Sequence, residues 1–253
     1  MNSTSKSSSN APQDRARFFY AGAAILLLVL AFLGFRLFYL HGNAYPGRPL
    51  TPPIRNVVIA HGVAMSAWVV LLVIQPLLIV NGKYRVHMFL GKIGAVLAAG
   101  IVFLGLRVAV AAAAVNPPDL KLWGLVPKQF LAIPLGVIVM FAGYVAMGVW
   151  NRRRREVHRP MMLLATLFAI TAATDRIGSI TNLYAHTVWG SIFGPFFTIL
   201  VIGAAFLLVK WALTRSFDRW YAMGYAGLVV AGPLIMKLAP TQAWDGFASF
   251  LLR

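Results

Sequence analysis

Seven apolar stretches, most of them near the length a bilayer core requires, constrain this chain more than any other feature. They occupy residues 18–40, 57–80, 88–115, 126–150, 160–183, 188–211 and 221–238. A hydrocarbon core about 30 Å thick takes about 20 apolar residues in helical form. Lipid offers no partner to an unpaired backbone amide, so a spanning segment of this length must be helix. The pattern predicts an all-α membrane helix bundle of about seven transmembrane helices. The last stretch is the weakest, because Gly224, Gly227, Gly232 and Pro233 interrupt it. Composition points the same way. The chain is 60% hydrophobic with a mean hydropathy of +0.76, and 11% of it is charged, against about 25% in soluble domains. It has no cysteine, which excludes disulfides, thiolate metal sites and cysteine nucleophiles.

Three segments follow. Residues 1–17 are rich in Ser and Asn and read as a disordered cytoplasmic tail. Residues 18–238 form the seven-helix transmembrane domain. Residues 239–253 form a short C-terminal interfacial segment, with Trp244, Phe247 and Leu251 at helical spacing.

The net charge of +17 does not imply nucleic acid. With the N-terminus inside, 14 of the 23 Lys and Arg fall in cytoplasmic segments and six on the other side. Arg36, Arg107 and Arg176 lie inside expected spans. This bias predicts a multi-pass protein of a bacterial inner membrane, N-terminus cytoplasmic. Its expected partners are the lipid bilayer and other subunits of a membrane complex.

Two passages repeat. Lys83-Tyr84-Arg85-Val86-His87 opens the third span, and Arg154-Arg155-Glu156-Val157-His158 opens the fifth. Each is a basic loop, then Val-His, then a helix rich in small residues. Duplicated helix pairs of this kind are common in membrane folds. The arrangement resembles an uncharacterised family of predicted bacterial membrane proteins, which pairs a His-x-x-x-Gly helix start with a later His-Arg-x-Met start running on to an arginine. Here these read His87-Met88-Phe89-Leu90-Gly91 and His158-Arg159-Pro160-Met161, with Arg176 downstream. The resemblance covers roughly residues 57–183 and departs at Met88, where arginine is usual, and at the extra Pro160. It implies an architecture and no particular activity. In layout the chain is also loosely similar to transmembrane b-type cytochromes.

Polar groups in lipid are costly unless paired, liganded or beside water. Gly91, Gly94, Ala98 and Gly105 share the helix face of His87, a groove that suits close helix packing or a flat cofactor. Ala165, Ala169, Ala172 and Arg176 share the face of His158. His61 shares a face with Trp68 and Gln75, too polar for lipid. His41 and His186 fall in outer loops. Arg36, Arg107, Asp175 and Arg176 project to the outer third of the membrane, where Asp175 should find its partner in Arg36 or Arg107. Three arginines to one carboxylate favour an anionic guest such as a propionate or phosphate.

Three functions remain open from these residues. The first is haem b binding with transmembrane electron transfer, iron held by His87 and His158 at the inner end and by His61 with His186 or His41 at the outer end. The second is an accessory or assembly subunit of a membrane complex. The third is binding or transport of a small anion at the outer arginines. No phosphate loop, dinucleotide fingerprint or HExxH helix is present.

Overall fold

Because each backbone amide must be satisfied within its own segment, the apolar stretches fold as helices. The computed structural model describes residues 11–45 and 47–253. Among them, seven helices are long and apolar enough to cross a membrane: Arg15–Gly34, Arg55–Val80, Tyr84–Val115, Pro127–Trp150, Arg155–Asp175, Val188–Thr214 and Arg219–Leu238. They are called the first to seventh spans. The protein is an all-α integral membrane bundle. A two-residue β-hairpin, Asn43–Ala44 against Arg48–Pro49, lies in the loop after the first span.

The spans form a ring with a hub. The first packs on the second, the second on the third, the third on the fourth, and the fourth on the fifth. The fifth closes the ring against the first and also packs on the sixth and seventh. It is the least apolar of the seven and the most buried. That is the expected place for a helix carrying Thr166, Thr171 and Thr174, since the surrounding spans keep those hydroxyls from lipid. Trp68 of the second span reaches across the ring. Its indole N–H donates to Thr166 Oγ1 at 3.0 Å, and its ring meets Phe141 of the fourth span edge-on at 5.1 Å. Such interhelical bonds contribute about 0.6–2 kcal/mol each.

Small residues set the close contacts. A Cβ at Gly34 would collide with the Ala173 backbone, so glycine lets the first span touch the fifth. The glycines that weaken the seventh stretch serve the same end. Gly224 faces Leu164, Met161 and Tyr144, and Gly232 faces Phe196. The seventh helix runs unbroken through Pro233.

Several boundaries differ from expectation. Residues 1–10 of the expected disordered tail lie outside the described residues, and from Ala11 the chain is already helix. The first span stops at Gly34, and a separate short helix, Arg36–His41, follows. Arg36 therefore sits beyond the span and is exposed. The fifth span begins at Arg155 and not at Pro160, which lies inside the helix and starts no new one. It ends at Asp175, which leaves Arg176 in the following turn. The C-terminal helix Gln242–Leu251 packs on the start of the fourth span. Trp244 and Ala248 are buried, the Trp244 indole donates to Lys128 O at 3.0 Å, and Lys128 pairs with Asp245 at 2.7 Å.

Candidate functional site

The repeated hairpins bring His87 and His158 together. Each histidine stands in the first turn of its span, just after a basic loop, so both lie at the same end of the bundle. Their ring centroids are 6.4 Å apart and their planes are nearly perpendicular, at 87°. The third and fifth spans are not neighbours in the ring, so the two imidazoles face each other across its interior.

Each imidazole is held by the helix that precedes it. His158 Nδ1 lies 2.8 Å from Gly148 O of the fourth span, which assigns the proton to Nδ1 and the lone pair to Nε2. His87 Nδ1 lies 3.3 Å from Gln75 O of the second span. The Gln75 side-chain amide reaches the same nitrogen and the backbone of His87 and Gly91. An amide presents oxygen or nitrogen by turning over, so Gln75 accommodates either tautomer of His87. No protein group hydrogen-bonds either Nε2 among the described residues.

Arg159, next to His158, carries its charge within electrostatic reach of both imidazoles and of Tyr20 and Tyr84. It is half-buried, and no carboxylate pairs with it among the described residues. The helix faces beside the histidines are small, as expected, and side-chain ends occupy the room. Leu71 fills the space at Gly94, and Met162 fills that at Gly148. Near Gly91 only the Gln75 amide comes within 4 Å of where a Cβ would stand.

A second polar cluster at this end has no signature in the local sequence. Lys210 of the sixth span is 8% exposed, and so is Tyr20 of the first. Lys210 Nζ donates to Tyr20 Oη at 2.6 Å and forms an ion pair with Asp218. Asp218 also caps the seventh span by accepting from Tyr221 N at 2.9 Å. Lys210 reads as one more basic residue near a span end. Its burial follows from partners 190 and eight positions away.

The opposite end gathers little. His61 is half-buried, its Nδ1 has no partner, and its ring packs beside Gly105. His41 and His186 are exposed, and no ring contact or hydrogen bond joins either to His61 among the described residues. Asp175 does not pair with Arg36 or Arg107. Its Oδ1 accepts from the Trp123 indole at 2.9 Å. Trp123 adopts a φ of 54°, a left-handed conformation costly for a bulky residue, and stacks on Tyr184. Burial pushes the Tyr184 phenol above its ordinary value, and its oxygen accepts from Thr198 at 3.1 Å. Arg176 lies over Phe35 at 4.9 Å and donates to Ala172 O. Arg107 is exposed on the flank of the third span, in a shallow concavity with Phe103, Leu106, Val110 and Ala111. Among the described residues, no three His, Asp or Glu side chains converge as a metal cluster.

No family model, no curated protein and no solved structure matches this chain.

Proposed function

We propose that this membrane protein binds one haem b at its basic end, where His87 and His158 would hold the iron, and works in electron transfer. The separation of the two imidazoles carries this reading. The rings stand 6.4 Å apart between centroids, close enough for both to reach one ion at a metal–imidazole bond length of about 2.0 Å.

The residues present fit the group. Gly148 O fixes the His158 tautomer that leaves Nε2 available, and the Gln75 backbone carbonyl stands where it can accept from His87 Nδ1 in the same way. A ligand histidine held through its second nitrogen is the usual supporting arrangement. Arg159, half-buried without a carboxylate, suits a propionate. Small residues Gly91, Gly94 and Gly148 stand near the pair, and the movable ends of Leu71 and Met162, packed on Gly94 and Gly148, would turn aside to admit a flat ring. When bound, haem iron supplies one-electron redox chemistry. The chain orients the imidazoles, balances anionic charge with Arg159, and keeps the site among helices. By the positive-inside bias this is the cytoplasmic end. The outer pair imagined for a second haem does not assemble, so the reading takes one haem. The outer small-anion site has less to rest on, since Arg36 and Arg107 are exposed and neither forms an ion pair with Asp175 among the described residues, which leaves Arg176 as the arginine within electrostatic reach of that carboxylate.

An absorption spectrum of the detergent-purified protein, oxidised and reduced, tests this. A Soret band that sharpens on reduction is expected in the wild type and absent from His87→Ala and His158→Ala. Spectra unchanged in both variants, or no pigment after haem is added to folded protein, would sink the reading.

One observation favours the accessory-subunit reading. Arg107 is a cation on the exposed flank of a spanning helix, where a partner helix carrying a carboxylate would match it. Co-purification of a second membrane protein that Arg107→Leu abolishes is the result expected there.

A further inference from the structure

We infer a specific site for an anionic phospholipid at the basic end, formed by Arg154, Arg219 and Trp220. It is independent of the histidine pair. Trp220, in the first turn of the seventh span, lies close to two guanidinium groups. Arg154 stands 5.4 Å from the ring centroid and Arg219 stands 5.7 Å from it. The indole Nε1–H is buried and has no acceptor.

The chemistry of the cluster is lopsided. Arginine and tryptophan side chains only donate. Against these donors stands one carboxylate among the described residues, Glu156, which meets Arg154 Nε at 3.4 Å and is within electrostatic reach of Arg219, while it and Arg154 are largely exposed. Asp218 is committed to Lys210 and to capping Tyr221. The cluster therefore lacks acceptors, and its neighbours Arg152, Arg153, Arg155 and Arg215 add only positive charge. A phosphodiester supplies what is missing. Its anionic oxygens match the forks of two arginines and give the indole N–H an acceptor.

Position selects lipid over a free phosphate. Arg154 lies in the loop that ends the fourth span, and Arg219 begins the seventh, so both stand at headgroup level. The apolar side chains around them point outward. Trp150, Phe217 and Met223 are strongly exposed, and Met223 lies one turn along the seventh span from Arg219 and Trp220. A phosphate on the guanidinium pair would run its acyl chains over these residues. Polybasic surfaces attract anionic lipid diffusely. What distinguishes this place is the orphaned indole donor beside two cations.

Native mass spectrometry of the full chain in detergent, titrated with dioleoyl-phosphatidylglycerol, dioleoyl-phosphatidylcholine or inorganic phosphate, tests the site. One tight phosphatidylglycerol adduct is expected, with phosphatidylcholine weaker and inorganic phosphate unable to displace it. Arg154→Gln and Arg219→Gln should each weaken it about fivefold. Trp220→Phe, which keeps the ring and removes the N–H, should weaken it about fivefold with no change in melting temperature. Arg152→Gln should have a markedly smaller effect. Equal losses in Arg152→Gln and Arg154→Gln, wild-type binding by Trp220→Phe, or displacement by inorganic phosphate at equal concentration would each overturn the proposal.

Discussion

The two ends of the bundle hold similar inventories of polar residues and treat them differently. At the basic end, His87 and His158 converge to 6.4 Å, and Lys210, Tyr20 and Asp218 lock together beneath the surface. At the opposite end, His61, His41 and His186 stay separate, Arg36 and Arg107 are exposed, and Asp175 turns to an indole. Equal depth therefore does not produce proximity. At the basic end, two copies of one hairpin impose it. Each hairpin places a histidine one turn into its second helix, and each clasps that histidine to its first helix through a carbonyl. No repeated device aligns the opposite end, where loops of different length approach from different directions.

The largest effect that sharpens this contrast should come from the ion pair. Lys210→Met leaves Asp218 charged and poorly solvated, and breaking a buried pair by removing one partner costs about 3–5 kcal/mol. Denaturant unfolding in mixed micelles should show a loss of that size, and a loss below about 1 kcal/mol would mean that water already solvates the cluster.

Next in size is the clasp. Gln75→Leu removes the side-chain amide at His87 Nδ1 and should reduce haem retention about 10–100-fold, the usual cost of losing a supporting ligand contact. His61→Leu, at the other end, should leave the visible spectrum as it is. If His61→Leu bleaches the protein and Gln75→Leu does not, the two ends have been assigned the wrong way round.

Smaller still is the outer hydrogen bond. Asp175→Ala leaves the Trp123 indole without its acceptor and should cost about 1–3 kcal/mol, read from the thermal midpoint of the detergent-solubilised protein. Trp123→Phe combined with Asp175→Ala should recover part of that loss.

Least of all, Arg36→Gln and Arg107→Gln should each change stability by less than about 0.5 kcal/mol, as exposed positions usually do. A larger loss at Arg107 measured in the native membrane, but not in detergent, would point to a partner helix rather than to the fold.

The hairpin repeat was legible because it is local. Val-His after a basic loop recurs within a few residues, and helical projection puts both histidines at one depth. The second polar cluster was not legible. Tyr20 stands among apolar residues of the first span, and Lys210 reads as a membrane-surface cation near the end of the sixth. Nothing within either segment signals the other. The expected partners of Asp175 failed for a related reason. Projection places Arg36 and Arg107 at its depth, yet Arg36 follows a helix break at Phe35, and Arg107 sits on the outward flank of its span.

By itself the sequence determined the number of spans, their helical state and the level of each polar group along the membrane normal. Those properties depend on hydrophobic length, on backbone amides satisfied within one segment, and on a rise of about 1.5 Å per residue. Tertiary structure alone decided which polar groups meet. Depth and direction on one helix say nothing about which helix stands opposite, and that choice was made by packing: Gly34 against Ala173, Leu71 into Gly94 and Met162 into Gly148. The ring those contacts close is what turns two histidines at equal depth into a facing pair.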